Sequence, residues 1–310
     1  MTLGAGFLLA GLVLAGLGGE LFVRGLVGIA RWARIAPGIV GLTLAAFATS
    51  SPELSVSVNA ALEGRPLIGL GNAIGGNVVN LGLVFGITLS LAKVTAPRSH
   101  LRRDFPVAFL IPLLTTLLIV DGMLSRLDGL LMLGLFLTWL AFTLVDAWKQ
   151  RSAVTKVLGE RRGALIILSA LAGLGMLIIA GRLLVFGGTS LGQALGLNLF
   201  IVGATIVALG TSIPELATAL VSRFHGHTDV GLGTLFGSNI FNGLFIIGLI
   251  AIIQPIELRL PEVVVGLGFG ALVIAASFPV RGAIQRPRSV LLLALYAAYL
   301  VVLLQFGTWE

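Results

Sequence analysis

Residues 48–54 read Ala48-Thr49-Ser50-Ser51-Pro52-Glu53-Leu54, and residues 210–216 read Gly210-Thr211-Ser212-Ile213-Pro214-Glu215-Leu216. The same spacing pairs Gly75, Asn77 and Asn80 with Gly237, Asn239 and Asn242. Each copy sets a proline and a carboxylate inside a long apolar run. Apolar helices avoid both, because proline removes a backbone donor and an unpaired charge in a bilayer costs several kcal/mol. Two such interruptions at matched positions point to a site rather than to a scaffold left by gene duplication.

Composition sets the solvent. Of 310 residues, 57% are hydrophobic and 11% charged, with a mean hydropathy of +1.08. Soluble domains carry roughly 25% charged residues, so the chain reads as an all-α integral membrane protein. Cysteine is absent, which excludes disulfides and thiolate metal sites. His100, His225 and His227 all lie near expected helix ends, which argues against a histidine zinc centre at depth. The first apolar run has no basic leader and reads as a span, not a cleaved signal.

A hydrocarbon core of about 30 Å takes ~20 apolar residues per helix. Ten spans fit: 5–31, 37–62, 67–91, 105–121, 127–147, 164–190, 197–222, 230–253, 262–279 and 289–307. The runs are too long, and alternate too little, for membrane strands. One side of this arrangement collects fifteen lysines and arginines, including Arg31, Arg34, Arg98, Arg102, Arg103, Arg223, Arg281 and Arg288. The other side collects Arg65, Arg126 and Arg259. The positive-inside rule puts the rich side in the cytoplasm, with loops 92–104 and 148–163 on that side and both termini outside. The net charge of +7 is thereby a topological signal, and nucleic acid is not an expected partner. The two motifs begin in spans 2 and 7. Five spans separate them, so the second half is inverted relative to the first. Residues 1–147 and 164–310 are the expected five-helix repeats, joined by a polar connector at 148–163. Inverted repeats mark secondary transporters, whose site lies near the midplane where the repeats meet.

The motif is an oxygen donor set. Pro52 deprives the Ala48 carbonyl of its helical donor, and Pro214 does the same to Gly210. Strain at the kink should also loosen the carbonyls of Thr49 and Thr211. Free carbonyls at membrane depth are tolerated only against protein or a wet cavity. No lysine or arginine in spans 2 or 7 lies beside Glu53 or Glu215, so a bound cation is the expected counter-charge. Asn80 and Asn242 bring amide oxygens from the following spans. Asn77 and Asn239 could do the same, but bonding between helices is the first reading for them. Calcium takes 6–8 hard oxygens in flexible geometry, whereas magnesium wants a tighter octahedron and holds its water. Two carboxylates balance one calcium ion, two sodium ions or two protons, and competition among those states is the basis of exchange.

At these residues the chain resembles the calcium/cation antiporter superfamily, the group that contains the sodium/calcium exchangers, in its prokaryotic ten-helix form. The family's inverted motifs, Gly-Thr-Ser-x-Pro-Glu followed by a Gly-Ser-Asn segment, match residues 41–80 and 203–242. The resemblance implies a prokaryotic inner-membrane location and a role for each matching position. Glu53 and Glu215 would be shared ligands of calcium and the counter-ion. Thr49 and Thr211 would give backbone oxygens, and Ala46 and Ala208 carbonyls to flanking sodium sites. Ser50, Ser212 and Ser238 would give hydroxyls, with Asn80 and Asn242 completing the centre. It also implies that spans 1 and 6 slide across the rest, a motion that Gly11, Gly16, Gly18 and Gly19 suit, although ordinary tight packing explains these glycines equally well. Three positions depart from the pattern. Ala48 replaces a glycine, Gly76 removes a serine hydroxyl, and Asn242 stands where many sodium-coupled relatives have aspartate.

The implied activity is export of Ca2+ against Na+ by alternating access. An H+-coupled antiporter at the same site is the alternative. A passive channel has no evident use for two inverted halves around one site. An intramembrane hydrolase would need an acid/base pair of the aspartyl type, and no catalytic histidine or aspartate pair lies at depth. No enzyme activity, cofactor or obligate protein partner is implied. Glu20 and Arg24 are placed to pair along span 1, Arg182 is Glu20's repeat counterpart with a packing or snorkelling role, and His225 and His227 read as loop residues beside Asp229. Trp32, Trp148 and Trp309 sit where interfacial anchors belong.

Overall fold

The computed structural model describes residues 2–33, 37–95, 103–150, 163–194, 199–258, 260–279 and 282–306. Most of the expected connector, the side chain of Arg182, and Arg34, Arg98, His100, Arg102, Arg259, Arg281 and Trp309 lie outside them. The described chain forms ten helical rods. Span 1 is Thr2–Ala33. Span 2 runs from Pro37 to Leu62 with a break at Ser50, and span 3 covers Pro66–Leu91. Span 4 is Phe105–Leu118, span 5 Arg126–Gln150 and span 6 Gly163–Ala194. Span 7 runs from Leu199 to Phe224 with a break at Ser212, and span 8 covers Thr228–Ile253. Span 9 is Leu260–Ala276 and span 10 Arg288–Phe306. These ends fall within a few residues of those expected from apolar run length.

The protein is an all-α membrane protein of two inverted five-helix repeats, and the backbone records the inversion. Val94–Thr95, after span 3, pairs antiparallel with Ala283–Ile284, before span 10. Met123–Leu124, before span 5, pairs with Ile256–Glu257, after span 8. Val94 and Ile256 are repeat counterparts, so each pair is close to the image of the other. Loops 3–4 and 9–10 therefore share one end of the molecule, called here the basic end, while loops 4–5 and 8–9 share the opposite end. The absence of strands expected from the apolar runs holds for the spans only. Short strands form in the loops, where backbone groups beyond the helix ends still need partners.

Spans 2, 3, 7 and 8 form the centre, and they interlock across the repeats. Gly75 of span 3 lies directly on the backbone of Ala204 in span 7, and Gly237 of span 8 lies on the Leu42 carbonyl and the Ala46 side chain in span 2. A Cβ at Gly75 would stand 2.6 Å from the Ala204 Cα, so only glycine lets these rods meet backbone to backbone. Spans 1 and 6 pack mainly on each other. Phe22, Leu26, Ala30, Ala170 and Leu177 belong to a hydrophobic cluster separate from the main core, which spans 3, 4, 5, 8, 9 and 10 dominate.

Candidate cation-binding site

Both motif helices break rather than kink. A short helix ends at Thr49, Ser50 leaves helical geometry with φ −82° and ψ 9°, and a new helix starts at Ser51 with Pro52 in its first turn. The second copy repeats this, with Ser212 at φ −80° and ψ 6° and Pro214 in the first turn of Ile213–Phe224. Proline is favoured there because its missing N–H has no partner to lose. The two halves of span 2 meet at 42°. Glu53 and Glu215 consequently occupy the first turn of a helix, where unsatisfied N–H groups favour negative charge. Thr49 and Thr211 end the preceding helices, where carbonyls lack helical donors.

Four π-helical segments flank these breaks, at Gly41–Ala45, Val79–Val84, Gly203–Val207 and Phe241–Ile246. They fall at matched positions in the two repeats. Nothing in the sequence reading foresaw them. Asn80 and Asn242 sit inside two of them, and π segments often accompany functional sites because the extra residue re-aims a side chain.

The polar groups are sealed in. Glu53, Glu215, Asn80, Asn242, Thr49, Ser50, Thr211, Ser212 and Ser238 are all 0–1% exposed. Both oxygens of Glu53, Oε2 of Glu215, both amide atoms of Asn80 and of Asn242, and the Ser212 hydroxyl have no protein partner. Among the described residues no basic side chain pairs with either glutamate. Each orphaned buried polar atom costs about 1–3 kcal/mol, and more for a charge. A cluster of this size is explained by a group that the protein takes up from outside.

The two halves of the cluster differ. Ser50 and Ser238 both donate to Oε1 of Glu215, at 3.0 and 3.1 Å, and Ser238 also approaches the Ala46 carbonyl at 3.5 Å. Ala46, Ser50, Ser238 and Glu215 thus make one four-oxygen group. Its image would join Ala208, Ser212, Glu53 and a hydroxyl at position 76, which is Gly76 and lies against Asn242. Glu53 accordingly receives no hydroxyl. Asn77 and Asn239 hold the symmetric part together. Each amide donates to the other's backbone carbonyl, at 3.1 and 3.2 Å, which is the interhelical role expected of them first.

Some expectations need correction. The Ala48 carbonyl freed by Pro52 is not left free, because the Ser51 hydroxyl donates to it at 2.8 Å. Position 213 is Ile213, so Gly210 has no equivalent donor. The Thr49 and Thr211 hydroxyls lie 3.4 and 3.3 Å from the Ala46 and Ala208 carbonyls of their own helices. Asn72 was not foreseen. Fully buried, it donates to the Glu53 carbonyl and to the Ser57 hydroxyl and accepts from the Thr211 hydroxyl at 3.0 Å, tying span 3 to both broken helices. Its counterpart is Thr234, which bonds only to its own helix. Glu20 pairs with Arg24 as expected, but it also reaches His225 at 3.1 Å. His225 is therefore pinned to span 1 rather than free in its loop.

A family model described as sodium/calcium exchanger protein matches residues 3–145 and again 165–305. A protein of Alkalimonas amylolytica named as an antiporter, CaxA, is 37% identical over 258 residues, covering 80% of each chain. The inner membrane protein YrbG of Escherichia coli K12 is 32% identical, with 83% of this chain and 82% of that one covered. A solved structure of the sodium-calcium exchanger NCX_Mj, soaked with Na+ and Ca2+, superposes with a TM-score of 0.81 at 28% identity, covering 97% of this chain and 98% of that one.

Proposed function

The chain belongs to the sodium/calcium exchanger protein family, and from that membership together with its sealed oxygen cluster we propose that it is a secondary-active antiporter that exports Ca2+ in exchange for Na+. Cation exchange across a membrane is the family's work. The observation that carries the finer reading is the pair of fully buried carboxylates, Glu53 and Glu215, with three of their four oxygens unpartnered and no basic side chain to neutralise them.

In this reading one calcium ion lies between the two glutamates. The carbonyls of Thr49 and Thr211 and the amide oxygens of Asn80 and Asn242 complete a set within the 6–8 oxygens calcium prefers. The group of Ala46, Ser50, Ser238 and Glu215 takes sodium, and the thinner group of Ala208, Ser212 and Glu53 takes it more weakly. Calcium and sodium share the glutamates, so neither binds fully while the other is present. That mutual exclusion is what an antiporter needs. Alternating access comes from movement of spans 1 and 6, which pack on each other and, through a cluster outside the main core that includes Val40, Ala45, Ala217 and Val230, on the central spans. The basic end faces the cytoplasm of a prokaryotic cell, both termini lie outside, and residues 148–163 link the halves 1–147 and 164–310.

One observation favours protons as the counter-ion. Gly76 and Asn242 remove a hydroxyl and a carboxylate from the family pattern, and Glu53 has no hydrogen-bond donor from the protein. The deciding experiment is calcium flux in proteoliposomes under an imposed sodium or proton gradient, with the membrane potential clamped. Sodium-driven flux supports the first reading, and proton-driven flux with no sodium response replaces it with the second. Flux indifferent to both gradients refutes exchange.

A further inference from the structure

Span 7 carries a second set of buried polar groups below the cation cluster. Thr218 and Ser222 follow Glu215 at helical spacings of three and four, so all three share one face. Both are 0% exposed, and neither hydroxyl has a partner. This is anomalous within the molecule. Thr88, Thr115, Thr143 and Thr234, all buried in helices, each donate to the carbonyl four residues back. Helical serine and threonine do this by default when nothing else is offered. Thr218 and Ser222 forgo that bond.

The stripe has a direction. It starts at a cation ligand, runs toward the basic end, and stops at the His225 contact with Glu20 of span 1. Its repeat image on span 2 starts at Glu53 but continues through Val56 and Ala60, which carry no polar atom beyond the backbone. Packing alone therefore does not call for hydroxyls at these places, since the matched helix does without them. At the far end Ser222 faces Gly231 of span 8, whose added Cβ would stand 3.5 Å from the Ser222 Cβ. Spans 7 and 8 so meet over a small residue there, where a modest separation would open a gap.

We propose that the Thr218 and Ser222 hydroxyls line the route by which partly hydrated cations pass between the cluster and the basic end. Hydroxyls suit this task. Each offers an oxygen that replaces one water of the hydration shell, yet it carries no charge to trap the ion. The proposal rests on the transport reading above, and its test separates the two.

The natural chain has no cysteine, so single thiols report accessibility against a silent background. The full-length variants Ser222→Cys, Thr218→Cys and Ala60→Cys are treated with a membrane-impermeant cationic methanethiosulfonate applied to one face of membrane vesicles at a time. Modification of Ser222→Cys and Thr218→Cys from the basic face alone, with Ala60→Cys unreactive from that face, is the expected result. Absence of labelling at both span 7 positions from that face overturns the route, whether or not the protein transports calcium. A volume-matched variant checks the chemistry. Thr218→Val with Ser222→Ala should slow calcium flux about tenfold, the effect of roughly one lost polar contact, while calcium still raises the melting temperature as in the parent. Unchanged flux in that variant also overturns the proposal.

Discussion

Replacing Gly76 by serine tests the asymmetry of the cluster most directly. The substitution fits. A Cβ at position 76 would lie 3.4 Å from Nδ2 of Asn242 and 3.9 Å from the Ser212 hydroxyl, with nothing else within 4 Å beyond its own stretch of helix. Repeat symmetry gives the reach of the new hydroxyl, because Ser238 stands 3.1 Å from the Glu215 carboxylate. Gly76→Ser should place the same bond on Glu53. A hydrogen bond to a charged group contributes about 1.5–3 kcal/mol. Part of that gain also stabilises the cation-free carboxylate, so roughly half, about 0.8–1.5 kcal/mol, should appear as tighter sodium binding. This corresponds to a roughly four- to tenfold lower half-saturating sodium concentration. The assay is calcium release from loaded proteoliposomes against graded sodium at fixed potential, with calcium affinity measured in parallel. A folded variant with unchanged sodium half-saturation would refute the argument that the missing hydroxyl limits this flank.

Glu53→Gln and Glu215→Gln should each nearly abolish calcium flux. They should also remove the calcium-dependent rise in thermal stability, which for the parent is about 2.7 kcal/mol at a hundredfold excess over Kd; flux retained in either variant sinks the shared site. Asn242→Asp restores a third carboxylate and should steepen the sodium dependence of calcium release, and an identical sodium response would count against a role for position 242 in coupling. Asn72→Ala breaks the tie among spans 2, 3 and 7 and should destabilise the protein by about 1–3 kcal/mol, read as a lower melting temperature without ligand. No shift there would mean that the bridge contributes nothing to holding the broken helices.

The spans were legible because each apolar run is bounded by arginine, proline or glycine, and because the basic residues fall on one side. Pro52, Pro214 and the two glutamates were legible because they violate the solvent they sit in. The π segments were not. An extra residue per turn has no compositional mark, and residues such as Gly41–Ala45 are compatible with either geometry. Asn72 was hidden for a different reason. A reading guided by the repeat weights what occurs twice, and Asn72 is matched by Thr234. The Ser51 hydroxyl escaped in the same way, since its counterpart is Ile213. The contact between Glu20 and His225 joins residues from different repeats, and spacing along a single helix cannot find such pairs. Symmetry exposed the frame of the site and concealed the chemistry that differs between its halves.

That difference has a physical rationale. In an inverted-repeat transporter the halves rock or gate against each other around one shared site, which favours matched geometry. The matched breaks at Ser50 and Ser212, the matched π segments and the reciprocal Asn77–Asn239 bonds supply it. Matched chemistry is not required. On the half of span 2 away from the basic end, Ser55 and Asn59 are exposed, and the Asn59 amide donates to the Ser55 carbonyl at 2.8 Å. The counterpart of Ser55 on span 7 is Ala217, buried where a Cβ on Gly19 of span 1 would lie 3.1 Å from it. One end thus presents an open polar face of a broken helix. The other presents Ala217 seated against span 1, with Ser222 against Gly231 of span 8. If ions leave by different faces at the two ends, substitutions on one face should slow one half-reaction without touching the other. Ser55→Ala with Asn59→Ala should lower the rate of calcium entry from the end away from the basic loops and spare calcium affinity from the basic end. Equal loss from both ends would show that the two access routes are one and the same surface.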